Sequence, residues 1–123
     1  MPKVLIVEAD RIRSSFMRDV FSEEGCKVDC AFCGFETYYF CHRERYNIII
    51  INFNLPDLDG KKIAANLLKK DRDSLYIMIS DKKKLYQKMF CKKNKIELLE
   101  NTINKDQLLS IIYEYRTLKN HEL

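Results

Sequence analysis

The stretch Ile48-Ile49-Ile50-Ile51-Asn52-Phe53-Asn54-Leu55-Pro56-Asp57-Leu58-Asp59-Gly60 decides how this chain folds. Its isoleucine run shows no alternation of apolar and polar residues, so both faces of the strand it forms must be buried. That is the signature of an inner strand in a parallel sheet with helices on either side. Asn, Pro, Asp and Gly then crowd together, which stops the strand and makes a turn-rich loop. Beyond it Ile63, Ala64, Leu67 and Leu68 recur at helical spacing.

Working outward, the same strand-then-helix unit repeats. Val4 to Val7 reads as a short buried strand. Asp10 can cap a helix carrying Ile12, Phe16, Met17, Val20 and Phe21, which Gly25 stops. Cys26 to Ala31 alternates around Val28 as a second strand. Residues 34–46, with Phe35, Tyr38, Tyr39 and Cys41, read as a second helix. Downstream lie a strand from Leu75 to Ser80, a lysine-rich helix over 83–90 and a strand from Ile96 to Leu99. A last helix carries Leu108, Leu109, Ile111, Ile112 and Tyr115, and the polar end from Lys119 to Leu123 is expected to fray. Five β-α units predict one α/β domain over residues 1–123, a doubly wound, five-stranded parallel sheet. In such sheets ligands sit at the carboxyl ends of the strands. Those ends carry Glu8, Ala9 and Asp10; Asn52; Ser80 and Asp81; and Glu100 with Asn101.

Bulk composition narrows the function classes. Hydrophobic residues make up 46% and charged residues 33%, which suits a packed globular domain rather than a disordered chain. No apolar run is long enough to span a membrane, and the short run after Met-Pro-Lys is too brief for a signal-peptide core, so a cytoplasmic protein is expected. A net charge of +4 does not demand a nucleic-acid partner. Five cysteines, an odd number, point to free thiols rather than a disulfide framework.

Two segments carry a resemblance to a known family: Lys3-Val4-Leu5-Ile6-Val7-Glu8-Ala9-Asp10, and Asn52 to Gly60 with Leu55-Pro56, Asp59 and Gly60 in register. With the five-fold β-α order, they make the whole chain resemble a response-regulator receiver domain. The resemblance implies a flavodoxin-like (βα)5 fold and a place in two-component phosphorelay signalling. It also implies a set of roles. An acidic pair after the first strand holds Mg2+, an aspartate after the third takes a phosphoryl group, a Ser or Thr after the fourth senses it, and a Lys-Pro follows the fifth.

On this chain those roles fall on altered residues. The acidic pair becomes Glu8 and Ala9, with Asp10 one residue on. The acceptor position is Asn52, the hydroxyl survives as Ser80, and Asn101-Thr102 replaces Lys-Pro. Asp81 stands where a small residue is usual, and Leu98 where an aromatic swings on activation. Phosphoryl transfer needs an anionic nucleophile and a metal to shield charge; an amide supplies neither. With carboxylates missing at Ala9 and Asn52, weak Mg2+ binding by Glu8, Asp10 and Asn54 is all that remains, and no other cofactor is expected. Losing the aspartate and the lysine together leaves a neutral site in which Asn52 and Asn101 can hydrogen-bond to each other. The resemblance thus implies a degenerate phosphorylation site at Asn52, Ser80 and Asn101, no catalytic residues, and signalling through protein contact. The alternative is a working phosphorelay receiver with Mg2+ and another acceptor, Asp57 or Asp59.

Cys26, Cys30 and Cys33 follow the C-x3-C-x2-C spacing of a cluster-binding loop, and Cys30-Cys33 could form half of a zinc site with Cys41-His42 nearby. The strand predicted over Cys26 to Ala31 holds these thiols extended and apart, so packing is the favoured reading and an Fe–S or zinc protein the distant one.

Residues 82–95 hold seven lysines and no acid. In receivers the face formed by the fourth helix, fifth strand and fifth helix is the usual output surface. Lys83, Lys84, Tyr86, Lys88, Lys92 and Lys93 therefore make a candidate docking site for an acidic protein partner, a histidine kinase or a downstream effector. A solvated helix face is the competing reading. Only Asp106, Glu114 and Glu122 on the last helix can answer this charge, so a monomer or a heterotypic complex is expected.

Overall fold

Strand and helix alternate five times in the computed structural model, which describes residues 1–121. The elements are β1 (Lys3–Val7), α1 (Arg11–Glu23), β2 (Lys27–Ala31), α2 (Gly34–Arg43), β3 (Ile48–Asn52), α3 (Gly60–Lys70), β4 (Leu75–Ser80), α4 (Leu85–Lys93), β5 (Glu97–Glu100) and α5 (Lys105–His121). The strands form one parallel sheet in the order β2-β1-β3-β4-β5. β3 lies at its centre, paired to β1 on one side and β4 on the other. All five of its residues are buried, as the unbroken isoleucine run requires.

Successive strand residues point to opposite sides, and each side builds its own core. Val4, Ile6, Ile48, Ile50, Ile77 and Ile79 pack with Met17, Val20 and Phe21 of α1 and Leu108, Ile111 and Ile112 of α5. Leu5, Val7, Ile49, Ile51 and Met78 pack with Ile63, Ala64, Leu67 and Leu68 of α3 and Cys91 of α4, while Tyr38, Phe40 and Cys41 of α2 close the edge. The two layers hold the carboxyl ends of β1, β3, β4 and β5 side by side.

Several boundaries differ from the sequence reading, each for a visible reason. α2 stops at Arg43, because Glu44 turns to an extended backbone (φ −141) and Tyr46 enters the core just ahead of β3. α4 begins at Leu85, where the Gln87 side chain accepts from the Lys84 N–H, and runs on to Lys93 because Phe90 and Cys91 supply its inward face. β5 is shifted by one residue, and Cys26 lies just before β2. Ile12 and Phe16, expected to face inward, are exposed; Ser14, Met17, Val20 and Phe21 form the buried stripe of α1. α5 continues through Lys119 to His121, past the expected fraying point, and Glu122 and Leu123 lie outside the described residues.

Gly60 fixes the loop after β3. A Cβ there would lie 2.2 Å from the Asn52 carbonyl oxygen and 2.8 Å from Phe53 Cα, so only glycine lets the chain fold back on itself. Gly60 N–H donates to the Phe53 carbonyl at 3.0 Å, and Asp59 then caps α3 by accepting from Lys61 N–H. This close return sets the position of Asn52 at the lip of the sheet.

Candidate functional site at the carboxyl edge of the sheet

Asn52 ends β3 with its side chain buried. Its Nδ2 donates to Glu8 Oε1 at 2.9 Å and to Asn101 Oδ1 at 3.3 Å. Its Oδ1 accepts from the Asn54 N–H at 2.9 Å. These partners settle the amide's orientation, since a carboxylate can only accept and a backbone N–H can only donate. The bond from Asn52 to Asn101 is the one expected once Asp and Lys are both lost. Asn101 is held there by its own N–H, which donates to the Ser80 carbonyl at 3.0 Å.

Glu8 follows β1 and is 2% exposed. A buried carboxylate is costly unless donors surround it. Here Oε1 accepts from Asn52 Nδ2 and, at 2.8 Å, from Arg13 Nη1, while Oε2 accepts from the Asp10 N–H at 3.1 Å. Asp10 caps α1, accepting from the N–H groups of Ile12 and Arg13. Those backbone donors, chiefly Arg13, hold its carboxyl below the usual range. Asn54, the third residue expected at a metal, is turned away and donates to Asp81 Oδ2 at 3.1 Å. Glu8 and Asp10 thus share Arg13 as a partner, while the Asn54 side chain is engaged with Asp81.

Ser80 closes β4 and is buried. Its hydroxyl lies 2.5 Å from Gln87 Oε1 and 2.7 Å from the Lys82 carbonyl, so it is tied to the start of α4. Gln87 is itself buried among the lysines of that helix, and the sequence reading passed over it. Its signal was its place three residues after Lys84, where a side chain can reach back to the helix-capping N–H. Next to it, Phe53 meets Tyr86 and Phe90 edge to face, and Lys61 Nζ sits over both of those rings. Tyr86 is therefore partly engaged within the fold as well as exposed. Leu98 of β5 packs against the core on the α4 side.

The two reserve acceptors have structural duties. Asp57 reaches across to α2 and accepts from the N–H groups of Gly34 and Phe35 at 2.7 and 3.0 Å. The Gly34 bond chiefly holds its carboxyl below the usual range. Asp59 caps α3. The cysteines are likewise placed for packing. Cys26 and Cys30 sit in the α1–α5 core, and Cys41 and Cys91 in the other, with burial pushing the thiols of these last two up to about 11. Cys33 stands at the N-cap of α2. Among the described residues no group of three or more His, Cys, Asp or Glu comes together as a metal site, so Cys26, Cys30 and Cys33 are not gathered as a cluster or zinc site would need.

Lys83, Lys84, Lys88, Lys92 and Lys93 are all exposed, and Leu85 (73% exposed) and Met89 (62% exposed) stand between them. Of the acids expected to answer them, Asp106 and Glu114 are exposed on α5, and Glu122 lies outside the described residues. A cavity of about 1120 Å³ lies away from the Asn52 site, beside α2 and toward the amino ends of β3 and β4, lined by Tyr38, Tyr39, Cys41, Tyr46, Leu67 and Tyr76.

A five-stranded parallel sheet in this order, with polar groups gathered at the β1, β3, β4 and β5 ends, is a doubly wound α/β domain of flavodoxin-like topology. Residues 4–113 match the response regulator receiver domain, and the chain belongs to that family, the receiver modules of two-component signalling. It is similar to the CheY-like receiver domain protein of Methanospirillum hungatei, at 21% identity and a TM-score of 0.91, covering 100% of this chain and 99% of that one. The Francisella response regulator 1452 receiver domain gives 24% identity and a TM-score of 0.82, over 96% and 99% of the two chains. The response regulator TrrA of Thermotoga maritima, solved in complex with Mg2+-BeF, gives 19% and 0.82, over 94% and 99%. The transcriptional regulatory protein TctD of Salmonella typhimurium is 26% identical over 68 residues, 55% of this chain and 30% of that protein. The chain spans about a third of the length of the curated relatives it matches. No helix among the described residues is long and apolar enough to cross a membrane.

Proposed function

We propose that this receiver passes its signal by protein–protein contact, without a phosphoryl group at residue 52. The observation that carries the reading is the Asn52 side chain: its nitrogen donates to Glu8 and its oxygen accepts from Asn54. Neither atom is an anionic nucleophile, and both are occupied. Asp57 and Asp59, the carboxylates nearest in sequence, are bound to helix N-termini, which speaks against a substitute acceptor. No catalytic role is assigned to any residue.

The contact surface of this reading is α4. Lys83, Lys84, Lys88, Lys92 and Lys93 steer an acidic partner, and Leu85, Met89 and the exposed part of Tyr86 supply apolar area for it to cover. Glu97 and Glu100 are exposed on the adjoining β5, which makes the face mixed in charge and favours a protein over a nucleic acid. The partner class is a histidine kinase or an effector downstream of one, met by a single copy of this chain in the cytoplasm.

The test offers the chain a panel of phosphorylated histidine-kinase and phosphotransfer domains. The expected result is a complex in which the label stays on the donor. Its binding weakens steeply with salt and is lost in Lys83→Glu/Lys84→Glu. Label moving onto this chain would overturn the reading.

A further inference from the structure

We propose that the guanidinium of Arg13 is the built-in cation of this site, and that it closes the site to Mg2+. The inference rests on reading the chain as a receiver, whose metal would sit beside Glu8 at the carboxyl end of β1.

Arg13 lies in the first turn of α1, where the helix dipole disfavours positive charge. What holds it there is the pair of acids just upstream. Its Nη1 is 2.8 Å from Glu8 Oε1, and its Nη2 is 3.9 Å from Asp10 Oδ2. Those are the two carboxylates left to this chain for holding an ion after β1. The side chain is 25% exposed against 2% for Glu8, so it lies over the buried carboxylate with solvent on its outer side. Arginine suits this post: it is always charged and presents several donors in a fixed plane.

The rest of the shell agrees. Glu8 Oε1 takes two donors, from Arg13 and Asn52, and Oε2 takes the Asp10 N–H. Mg2+ requires near-octahedral oxygens at about 2.0–2.1 Å. To meet that, the ion would have to displace Arg13, and the amide nitrogen of Asn52 would then face it as a repelling dipole. Two ordinary functions of a metal here, neutralising Glu8 and bridging it to its neighbours, are performed by the chain itself. Asp81 stays outside this arrangement, bonded to Asn54.

Mn2+ serves as the probe, its free ion followed by electron paramagnetic resonance. The double substitution Ala9→Asp/Asn52→Asp supplies the carboxylates the family uses, and it is compared with the same protein also carrying Arg13→Gln. The expected result is that removing Arg13 tightens Mn2+ binding by about tenfold or more, the effect of one adjacent like charge partly exposed to water. Equal affinities with and without Arg13 would overturn the inference, while leaving Asn52 as poor a nucleophile as before. The unaltered protein gives a second readout that needs no variant to fold. Its melting temperature should be the same in EDTA and in excess Mg2+, and a rise with Mg2+ would count against an occupied site.

Discussion

The hydroxyl of Ser80 and the amide oxygen of Gln87 lie 2.5 Å apart, both buried, and join the end of β4 to the first turn of α4. In a receiver this hydroxyl is the group expected to sense a phosphoryl group; here it faces a helix instead. Because Gln87 Oε1 also accepts from the Lys84 N–H, one side chain sets both the hydroxyl and the start of the lysine-rich helix. Ser80→Ala and Gln87→Ala should each cost about 1 kcal/mol, with a coupling of similar size in the double-mutant cycle. Denaturant unfolding of the four proteins checks this, and strictly additive losses would break the link.

Gly60 should tolerate no side chain. In Gly60→Ala the new Cβ meets the Asn52 carbonyl, which is backbone and cannot swing aside. A loss of about 2 kcal/mol or more is expected from such overpacking, with the denaturation midpoint as readout. A neutral outcome would mean that the loop after β3 is not held as closely as described.

Lys95 sits at φ 57, just past the end of α4, a left-handed conformation that suits glycine. Lys95→Gly should therefore stabilise the fold by about 1 kcal/mol, seen as a higher unfolding midpoint. The same variant lowers the basic charge of residues 82–95, so it should also weaken salt-sensitive partner binding slightly. Loss of stability would contradict the strain at this residue.

Asp57 gives an acid-dependent prediction. Its folded pKa is lowered, chiefly by the Gly34 N–H. A carboxylate of this kind stabilises the fold above its unfolded value, near 4, and loses that effect as pH falls through the lower folded value. The stability gap between wild type and Asp57→Asn should therefore be open at neutral pH and narrow below about pH 4. Parallel denaturation curves at the two pH values measure it; a gap independent of pH would show that the carboxylate charge contributes nothing to holding α2.

The fold was legible because its strongest signals are local. The isoleucine run, the crowded turn after it and the spacing of Ile63, Ala64, Leu67 and Leu68 need no tertiary information, and they place β3, the loop and α3. The site was legible where a strand end names its residue, as for Asn52, Ser80 and Asn101. It was not legible where a side chain crosses to another element. Asp57 caps a helix whose first residue lies 23 positions earlier, and no spacing pattern reports that. Arg13 left one sign, a base in a helix's first turn, which the apolar pattern of α1 drew attention away from. That pattern also misplaced Ile12 and Phe16, because apolar residues on a helix surface follow the same spacing as those in its core.

The most direct test of the account is the intact mass of the protein after incubation with Mg2+ and acetyl phosphate. An unchanged mass is predicted, because Asn52 offers no anionic oxygen and Asp57 and Asp59 are bound at helix ends. A single phosphoryl adduct, acid-stable and base-labile, would contradict it and would make this chain a phosphorelay receiver with an acceptor other than residue 52.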